Sequence, residues 1–404
     1  MSTSFLYHGF GLVGYDYVRS RYAGGAVIFS IKRKRRKLRC AVCRSRDVVL
    51  RGTVARRFRT VPIGSKRVFF DLEVQRVECR HCGKVRQEKL GFADPRFSYS
   101  HAFERYALDL SKHMTIQDVA RHLRISWDVI KEIQKGDLTR RFSRPCLKNV
   151  KRIAIDEISV RKGHRYLTVV LDMDTGAVIF VGDGKGSDSL EPFWKRLRRS
   201  RAKIKAVAMD MSPTYISAVS SHLPKATIVF DHFHVVKLFN DKLSDLRRDL
   251  YREAKDNLHK AVLKGTRWLL LKNPENLDTK KREKERLEEA LKLNQPLSCA
   301  YYLKEYLRQI WLQPNKEEAE KILADWIENA KASGIRILMK FANTLAAYKS
   351  GILAYYDYRI SSGPLEGTNN KIKTMKRMAY GFRDMEFFKL KIMAIHETKY
   401  ALVG

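Results

Sequence analysis

The chain has 404 residues, of which 80 are Lys or Arg and 44 are Asp or Glu, so its formal net charge is +36. Hydrophobic residues make up 44% of the sequence, which is enough for the cores of two or three domains. So large a cationic excess indicates a polyanionic partner, and nucleic acid is the usual one. The sequence shows no apolar run long enough to span a bilayer and no signal-peptide pattern at its start, so we expect a protein of the reducing cytoplasm without a membrane partner.

Positive charge is concentrated near the N-terminus, where residues 1–100 carry 23 Lys and Arg against 7 Asp and Glu. The densest part is KRKRRKLR at 32–39, which leads directly into a cysteine pair. A run of this kind is often only a flexible tail. Because of its position, we interpret it as an arm that lies on DNA phosphates, with Lys34, Arg35 and Arg36 as candidate contacts.

Four of the six cysteines form two Cys-x-x-Cys pairs, Cys40 with Cys43 and Cys79 with Cys82. Two such turns complete a tetrahedral zinc site, which is structural because no coordination position stays open for a substrate. Between the pairs, apolar residues alternate around a Gly-Ser turn, which predicts a β-hairpin that brings the pairs together. Four unliganded thiols are the alternative, which the repeated spacing disfavours. We therefore predict one structural Zn²⁺ in a basic zinc-binding β domain, residues 1–95.

Residues 114–136 have the pattern of a helix-turn-helix. Apolar residues three and four apart mark a first short helix, and Ser126 is a suitable N-cap for a second. Candidate DNA contacts on the second helix are Trp127, Lys131 and Gln134, the last two facing a major groove. A helical hairpin used only for packing fits the pattern equally well. The neighbouring cysteine module and the basic charge favour a DNA-binding domain, residues 96–148.

Strand signals dominate residues 149–234, in the order three strands, a helix, a strand, a helix and a strand, which predicts a mixed α/β sheet. Asp156 lies in the first strand and Asp210 ends the fourth, so their side chains lie close together if these strands are neighbours. Carboxylates on adjacent strands suit Mg²⁺, and Glu366, between Pro364 and Gly367, is the candidate third acid. Each Asp taken alone also fits a solvated residue at a strand end.

The order of these features strongly resembles the transposases of bacterial insertion sequences, specifically the ISL-three family. The segments that carry the resemblance are AIDEIS, AVAMDMSPTYISAV, IVFDHFHVVKLFN and SGPLEGTNNKIKTMKRMAYGF, and it extends over nearly the whole chain. It implies a multidomain α+β protein whose ribonuclease-H-like mixed α/β core holds two Mg²⁺ or Mn²⁺ ions with an Asp-Asp-Glu triad. Carried over to this sequence, the triad is Asp156, Asp210 and Glu366. Such an enzyme binds the terminal inverted repeats of its element, cleaves DNA and transfers the freed 3′-hydroxyl to target DNA.

The resemblance accounts for the separation of 156 residues from Asp210 to Glu366 by an all-α insertion, residues 235–358, which splits the core into 149–234 and 359–404. Long charged amphipathic runs support this insertion. Asp231 and His234 in DHFH resemble an Asp-x-x-His motif that insertion-bearing transposases have at this junction, where they would support the active site. A helix-capping Asp with a packed His is equally compatible with the sequence.

A basic segment follows Glu366. If this segment is helical, Asn369, Asn370 and Lys373 share a face with Glu366. The resemblance implies that Lys373 contacts a DNA phosphate near the scissile bond, and the further candidate DNA contacts are Asn370, Lys376 and Arg377.

For partners, we expect DNA, both transposon ends and target, and a homodimer or larger synaptic assembly in the bacterial cytoplasm, associated with the nucleoid. The alternative function is a zinc and helix-turn-helix regulator that has lost catalysis. A nuclease that acts without transposition would share the metal site but would need no end-binding modules.

Overall fold

The computed structural model describes residues 5–161, 165–360 and 363–396, without the side chains of Arg161 and Leu258. The described chain divides into two compact units. The N-terminal unit contains the residues up to 143 together with 378–391. The second unit, called the catalytic unit because it contains the predicted acids, contains residues 144–377 together with 392–396. The finer domain boundaries expected from the sequence stay predictions.

A five-stranded sheet forms the first part of the N-terminal unit. Its elements are α1 (Phe5–Phe10), β1 (Tyr15–Ala23), β2 (Ala26–Arg33), β3 (Val48–Ile63), β4 (Lys66–Cys79) and β5 (Val85–Gln87). The strand order is β1-β2-β4-β3, and β5 pairs with β4. The predicted hairpin is confirmed as β3 and β4, whereas the β1–β2 pair, which joins β4 in parallel through β2, was not predicted.

One face of this sheet is apolar because the side chains alternate along the strands. Phe58, Phe70 and Phe92 lie within it at edge-to-face angles, with Phe58 and Phe70 fully buried. The opposite face is charged, and Arg57 and Arg21 both pair with Asp71 there.

Three helices follow, α2 (His101–Leu110), α3 (Ile116–Leu123) and α4 (Trp127–Phe142). The hydroxyl of Thr115 accepts the N–H of Asp118 and caps α3, which ends at Arg124 in the left-handed region with φ 51°. The predicted pair of short helices with a tight turn is therefore confirmed as α3 and α4.

The last helix that the structure describes, α17 (Met385–Met393), begins among the residues grouped with the N-terminal unit. Ion pairs join the start of α17 to α4. Asp384 lies 2.9 Å from Nζ of Lys131 and 3.2 Å from Nζ of Lys135, and Glu386 lies 2.7 Å from Lys135. Although burial opposes it, the Phe387 N–H and the two lysines lower the pKa of Asp384 to about 2.

The catalytic unit contains a second five-stranded sheet with the predicted order of elements. These are β6 (Arg152–Arg161), β7 (Arg165–Asp172), β8 (Val178–Asp183), α5 (Glu191–Ser200), β9 (Ala206–Met209), α6 (Pro213–His222) and β10 (Thr227–Phe230). The strand order is β10-β9-β6-β7-β8. Strands β6, β7 and β8 are antiparallel to one another, whereas β9 is parallel to β6 and β10 is parallel to β9.

The region expected to be an all-α insertion is helical throughout its described elements. It begins with α7 (His232–Glu253) and continues with α8 (Asn257–Gly265), α9 (Arg267–Leu271), α10 (Glu283–Leu293), α11 (Gln295–Gln309), α12 (Lys316–Ala332), α13 (Arg336–Ala347), α14 (Lys349–Leu353) and α15 (Tyr355–Tyr358). The chain then forms α16 (Gly363–Met378), the predicted basic helix. Among the helices that the structure describes, none combines the length and apolar character needed to cross a membrane.

Trp326 lies at the centre of the insertion. Its side chain is fully buried against Phe239 and Phe341, and its indole N–H donates to the carbonyl of Leu303 at 2.7 Å. Trp268, by contrast, is 65% exposed. The core of the insertion is continuous with that of the second sheet, so the two form one folding unit.

We expect Trp326→Ala to lower the free energy of unfolding by about 3–5 kcal/mol, because it opens a cavity and leaves the Leu303 carbonyl without its donor. Urea unfolding followed by far-ultraviolet circular dichroism measures the change. Trp268→Ala is the matched control, and its effect should stay within about 0.5 kcal/mol. Equal unfolding midpoints for the two variants would contradict this account of the core.

Candidate functional site

Asp156 and Asp210 are brought together by the parallel pairing of β6 with β9. In this pairing Ala154 lies opposite Ala208. Both aspartates come two residues later, so the two-residue period of a strand directs them to the same face. The condition set by the sequence, that the first and fourth strands are neighbours, is therefore met.

The third acid, Glu366, lies in the first turn of α16 and is exposed. Asp156, Asp210 and Glu366 line one cavity of about 490 Å³. Their oxygens do not form a tight cluster, since the only described group with three or more potential ligand atoms within 4.8 Å of one another is made of cysteines. The three carboxylates thus surround a space that can admit ions and a phosphate.

The surroundings of Asp156 oppose the ionisation of its carboxyl group. Burial raises the pKa of its carboxyl group, and the nearby Asp210 raises it further. His234, the N–H of Glu157 and the amide of Asn369 act in the opposite direction. Two half-buried carboxylates that repel one another are stabilised by a cation between them, and their hard oxygens are the ligands that Mg²⁺ and Mn²⁺ prefer. The donor set therefore fits a divalent metal.

Asp231 has the helix-capping role that was one of the two alternatives left open by the sequence. Asp231 caps α7 by accepting the N–H of Phe233 at 3.0 Å, and it lies 3.2 Å from Nδ1 of His234. Burial alone would lower the pKa of His234, but Asp231, Asp156 and Asp210 together raise it. Asp231 and His234 both line the carboxylate cavity, so the start of the insertion forms one of its walls.

The candidate DNA contacts on α16 differ in where they lie. Asn370 and Lys373 are exposed and line the cavity. Lys376 instead directs Nζ to the carbonyls of Ser159 and Val160, at 3.4 and 3.3 Å, and so attaches α16 to β6. Arg377 is exposed but does not line the cavity.

A further cation, Lys237 on α7, was missed by the sequence reasoning. It is exposed, lines the same cavity and also lines an adjoining cavity of about 270 Å³ with Asp210 and His234. The signal that identifies it is its position one turn after His234, on the same face of α7.

The four cysteines of the N-terminal unit converge as predicted. Sγ of Cys40 lies 3.7 Å from Sγ of Cys82, and Sγ of Cys43 lies 3.5 Å from Sγ of Cys79. All four are free thiols.

The two cysteine turns have matching backbones, because Cys40 and Cys79 each donate their N–H to the residue five positions later and accept from the residue four positions later. The fourth residue after each first cysteine, Arg44 or Gly83, has φ near +60°. The N–H groups of Cys43 and Val42 lower the pKa of the Cys40 thiol to about 6, which favours the thiolate form that a metal binds. The cluster fits one tetrahedral Zn²⁺.

The candidate DNA contacts on α4 are not equally accessible. Trp127 is 40% exposed, with Nζ of Lys131 5.6 Å from its ring centroid. Gln134, which we expected to face a major groove, is buried, so it is not presented on this surface. Lys131 forms its ion pair with Asp384 and is not a free cation either.

The basic run is folded and is not a loose tail. Arg35 and Arg36 are exposed in a single helical turn, residues 35–37, between β2 and the first cysteine pair. Lys34 pairs with Asp16 at 3.0 Å. This placement keeps two unpaired positive charges beside the cysteine cluster.

Comparisons with known proteins agree with this arrangement. A family model described as "Transposase" matches residues 153–392, and one described as "Helix-turn-helix domain of transposase family ISL3" matches residues 88–135. The chain is 35% identical over 358 residues to the transposase for insertion sequence element IS1001 of Bordetella parapertussis, and 88% of each chain is covered. It is 30% identical over 388 residues to the transposase for insertion sequence element IS1557 of Mycobacterium tuberculosis, with 89% of this chain and 86% of the relative covered.

Among solved structures, the Drosophila P element transposase strand transfer complex covers 76% of this chain and 94% of its own, at 10% identity and a TM-score of 0.39. So weak a likeness carries no conclusion about the present chain. The first family model, however, spans more than half of the sequence, and both relatives align over most of it. The chain therefore belongs to the ISL3 family of transposases.

Proposed function

We propose that this DNA transposase uses Asp156, Asp210 and Glu366 as an Asp-Asp-Glu triad on a ribonuclease-H-like core. The observation that carries the proposal is that three acids from distant parts of the sequence line one cavity. The sheet supports it, because three antiparallel strands followed by two parallel ones, with the first strand central, is the expected arrangement of such a core.

The triad would hold Mg²⁺ or Mn²⁺, two ions per site, which when bound activate the attacking oxygen and stabilise the leaving oxygen of an in-line displacement. The protein's own contribution is positional. Asp156 and Asp210 are fixed by paired strands, and the Ser212 N–H donates to Asp210 at 3.1 Å. Asp231 and His234 form the wall beside them.

The chemistry requires two displacements at phosphorus. In the first, water attacks the phosphodiester at a transposon end, the P–O3′ bond breaks, and a 3′-hydroxyl and a 5′-phosphate result. In the second, that 3′-hydroxyl attacks a target phosphodiester, a new P–O bond forms, and the target's 3′-oxygen leaves with a proton. No covalent enzyme intermediate is needed, so catalysis rests on positioning and charge neutralisation.

DNA binding is assigned to both units. In the N-terminal unit, the zinc-binding cluster, the helix-turn-helix, Arg35, Arg36 and Trp127 would bind the terminal inverted repeats. In the catalytic unit, Lys373 and Asn370 would contact the DNA backbone beside the carboxylates. Cleavage of two ends together requires at least a homodimer on DNA.

The regulator that has lost catalysis is not favoured, because the chain retains three acids around one cavity and belongs to a transposase family. A nuclease without strand transfer is separated from a transposase by the product. With labelled element ends, a target plasmid and Mg²⁺ or Mn²⁺, a transposase gives end-specific cleavage and joined product, whereas such a nuclease gives cleavage alone.

In this assay, Asp156→Asn, Asp210→Asn and Glu366→Gln should each reduce cleavage and joining on the order of 10³-fold or more, because each removes a negatively charged metal ligand. Binding of end DNA should stay within about twofold, since the N-terminal unit is unchanged. Glu317→Gln, on the exposed surface of α12, is the control. Full cleavage by any of the three variants would overturn the assignment of that residue.

For zinc, replacing all four clustered cysteines by Ser should remove one zinc per chain, as measured by inductively coupled plasma mass spectrometry. End binding should fall with it, because a closed four-cysteine site stabilises the fold around it. Cys146→Ser, an exposed cysteine outside the cluster, should retain the metal. Unchanged zinc content in the fourfold variant would refute the zinc assignment.

Lys373→Ala should weaken binding of end DNA and reduce the slope of log K against log salt concentration by about 1, as loss of one phosphate contact does. Lys371→Ala removes the same charge from an exposed position of α16 that does not line the cavity. Fluorescence anisotropy across a salt series distinguishes the two. Identical slopes for both variants would show that Lys373 makes no special phosphate contact.

A further inference from the structure

We propose that Asn369 is a positioning residue, which orients the Asp156 carboxylate for metal binding and fixes the helix of Glu366 on the strand of Asp156. The inference rests on the proposed function, because it takes Asp156 and Glu366 as ligands. Asn369 lies three residues after Glu366, so the two are neighbours on one face of α16.

The hydrogen bond between Asn369 and Asp156 is short. Nδ2 of Asn369 donates to Oδ2 of Asp156 at 2.6 Å, across 213 residues of sequence. The other oxygen of Asp156, Oδ1, accepts the N–H of Glu157 at 2.8 Å. Each carboxylate oxygen therefore has one fixed donor and keeps lone-pair capacity for a cation. The carboxylate plane is held from both sides before any ion is bound.

The orientation of the Asn369 amide follows from chemistry. An ionised carboxylate only accepts hydrogen bonds, so the amide must present its nitrogen to Asp156 and its oxygen to the other side. That oxygen, Oδ1, is buried and has no hydrogen-bond partner within the described structure. Asn369 itself is 9% exposed and lines the carboxylate cavity.

A buried acceptor without a donor is costly to the fold, and structures retain such atoms mainly where function needs them. Asn369 lines the cavity of the three carboxylates, so this cost falls on a residue of the proposed site. A side chain used only for packing has no reason to keep a buried acceptor without a donor.

A second contact shows how α16 lies relative to β6. Lys376, seven residues further along α16, donates to the carbonyls of Ser159 and Val160, three and four residues beyond Asp156. Seven helical residues rise about 10 Å, and three to four strand residues span about 10–13 Å. Helix α16 therefore lies along β6 in the same direction, and Asn369 sets its register at the end where the acids are.

The neighbouring residue, Thr368, holds an adjoining face of α16. Its hydroxyl lies 3.0 Å from Nε2 of His396, and its side chain is fully buried. Rotation of α16 about its axis is thus restrained from two directions. The role that remains specific to Asn369 is the donor to Asp156.

Two variants test the proposal with zinc-replete full-length protein. Asn369→Ala removes the donor, and Asn369→Leu removes it while keeping nearly the same volume and deleting the unpaired oxygen. The probe is Mn²⁺ alone, whose free concentration is followed by electron paramagnetic resonance. Both variants should bind Mn²⁺ about 10- to 100-fold more weakly, as loss of a hydrogen bond to a metal ligand does. The Mn²⁺ concentration for half-maximal cleavage should rise in parallel.

Asn343→Ala, at an exposed position of α13, is the control and should leave the Mn²⁺ affinity unchanged. Thermal unfolding separates a packing role, because Asn369→Leu should melt no lower than the parent while still binding Mn²⁺ weakly. Parent-like Mn²⁺ affinity in Asn369→Leu would overturn the inference, provided that Asp156→Asn loses the ion. If Asp156→Asn also kept parent-like Mn²⁺ binding, the proposed triad itself would fail.

Discussion

The parallel pairing of β6 with β9 is the constraint on which the rest of the catalytic unit depends. It places Asp156 and Asp210 on one face at one end of two buried strands, where burial and the nearby Asp210 oppose the charge of Asp156. Every other element at the site compensates for this repulsion or surrounds it. His234 approaches from α7, and the Asn369 amide approaches from α16.

The helical insertion is a structural condition for the site and not an appendage to it. Its first helix starts directly after β10 and carries Asp231 and His234 into the cavity, and α16 returns with Glu366 after the last insertion helix. A long sequence separation between the acids is therefore compatible with a compact site.

The features that the sequence predicted correctly are those that local interactions determine. The cysteine turns, the β3–β4 hairpin, the two helices around Ser126 and the succession of strands and helices after residue 149 follow from spacing, turns and periodicity. The contacts that the sequence did not predict are long-range. Asn369 meets Asp156 across 213 residues, and Gln134 is buried although its position among polar neighbours resembles a surface residue. The β1–β2 pair was missed because its strand β1 is exposed along most of its length and shows no clean alternation.

The lysines and the carboxylates that line the cavity are arranged so that they do not neutralise one another. None of the largest influences on the pKa of Asp156 comes from a lysine or arginine, although Lys373 and Lys237 line the same cavity. A direct ion pair would compete with a divalent cation for the carboxylates, whereas exposed lysines at the rim remain available to phosphate. In the N-terminal unit the opposite arrangement holds, since Asp384 occupies Lys131 on the helix expected to contact DNA. A phosphate that approached Lys131 would therefore meet the negative charge of Asp384, whereas none of the described ion pairs involves Lys373.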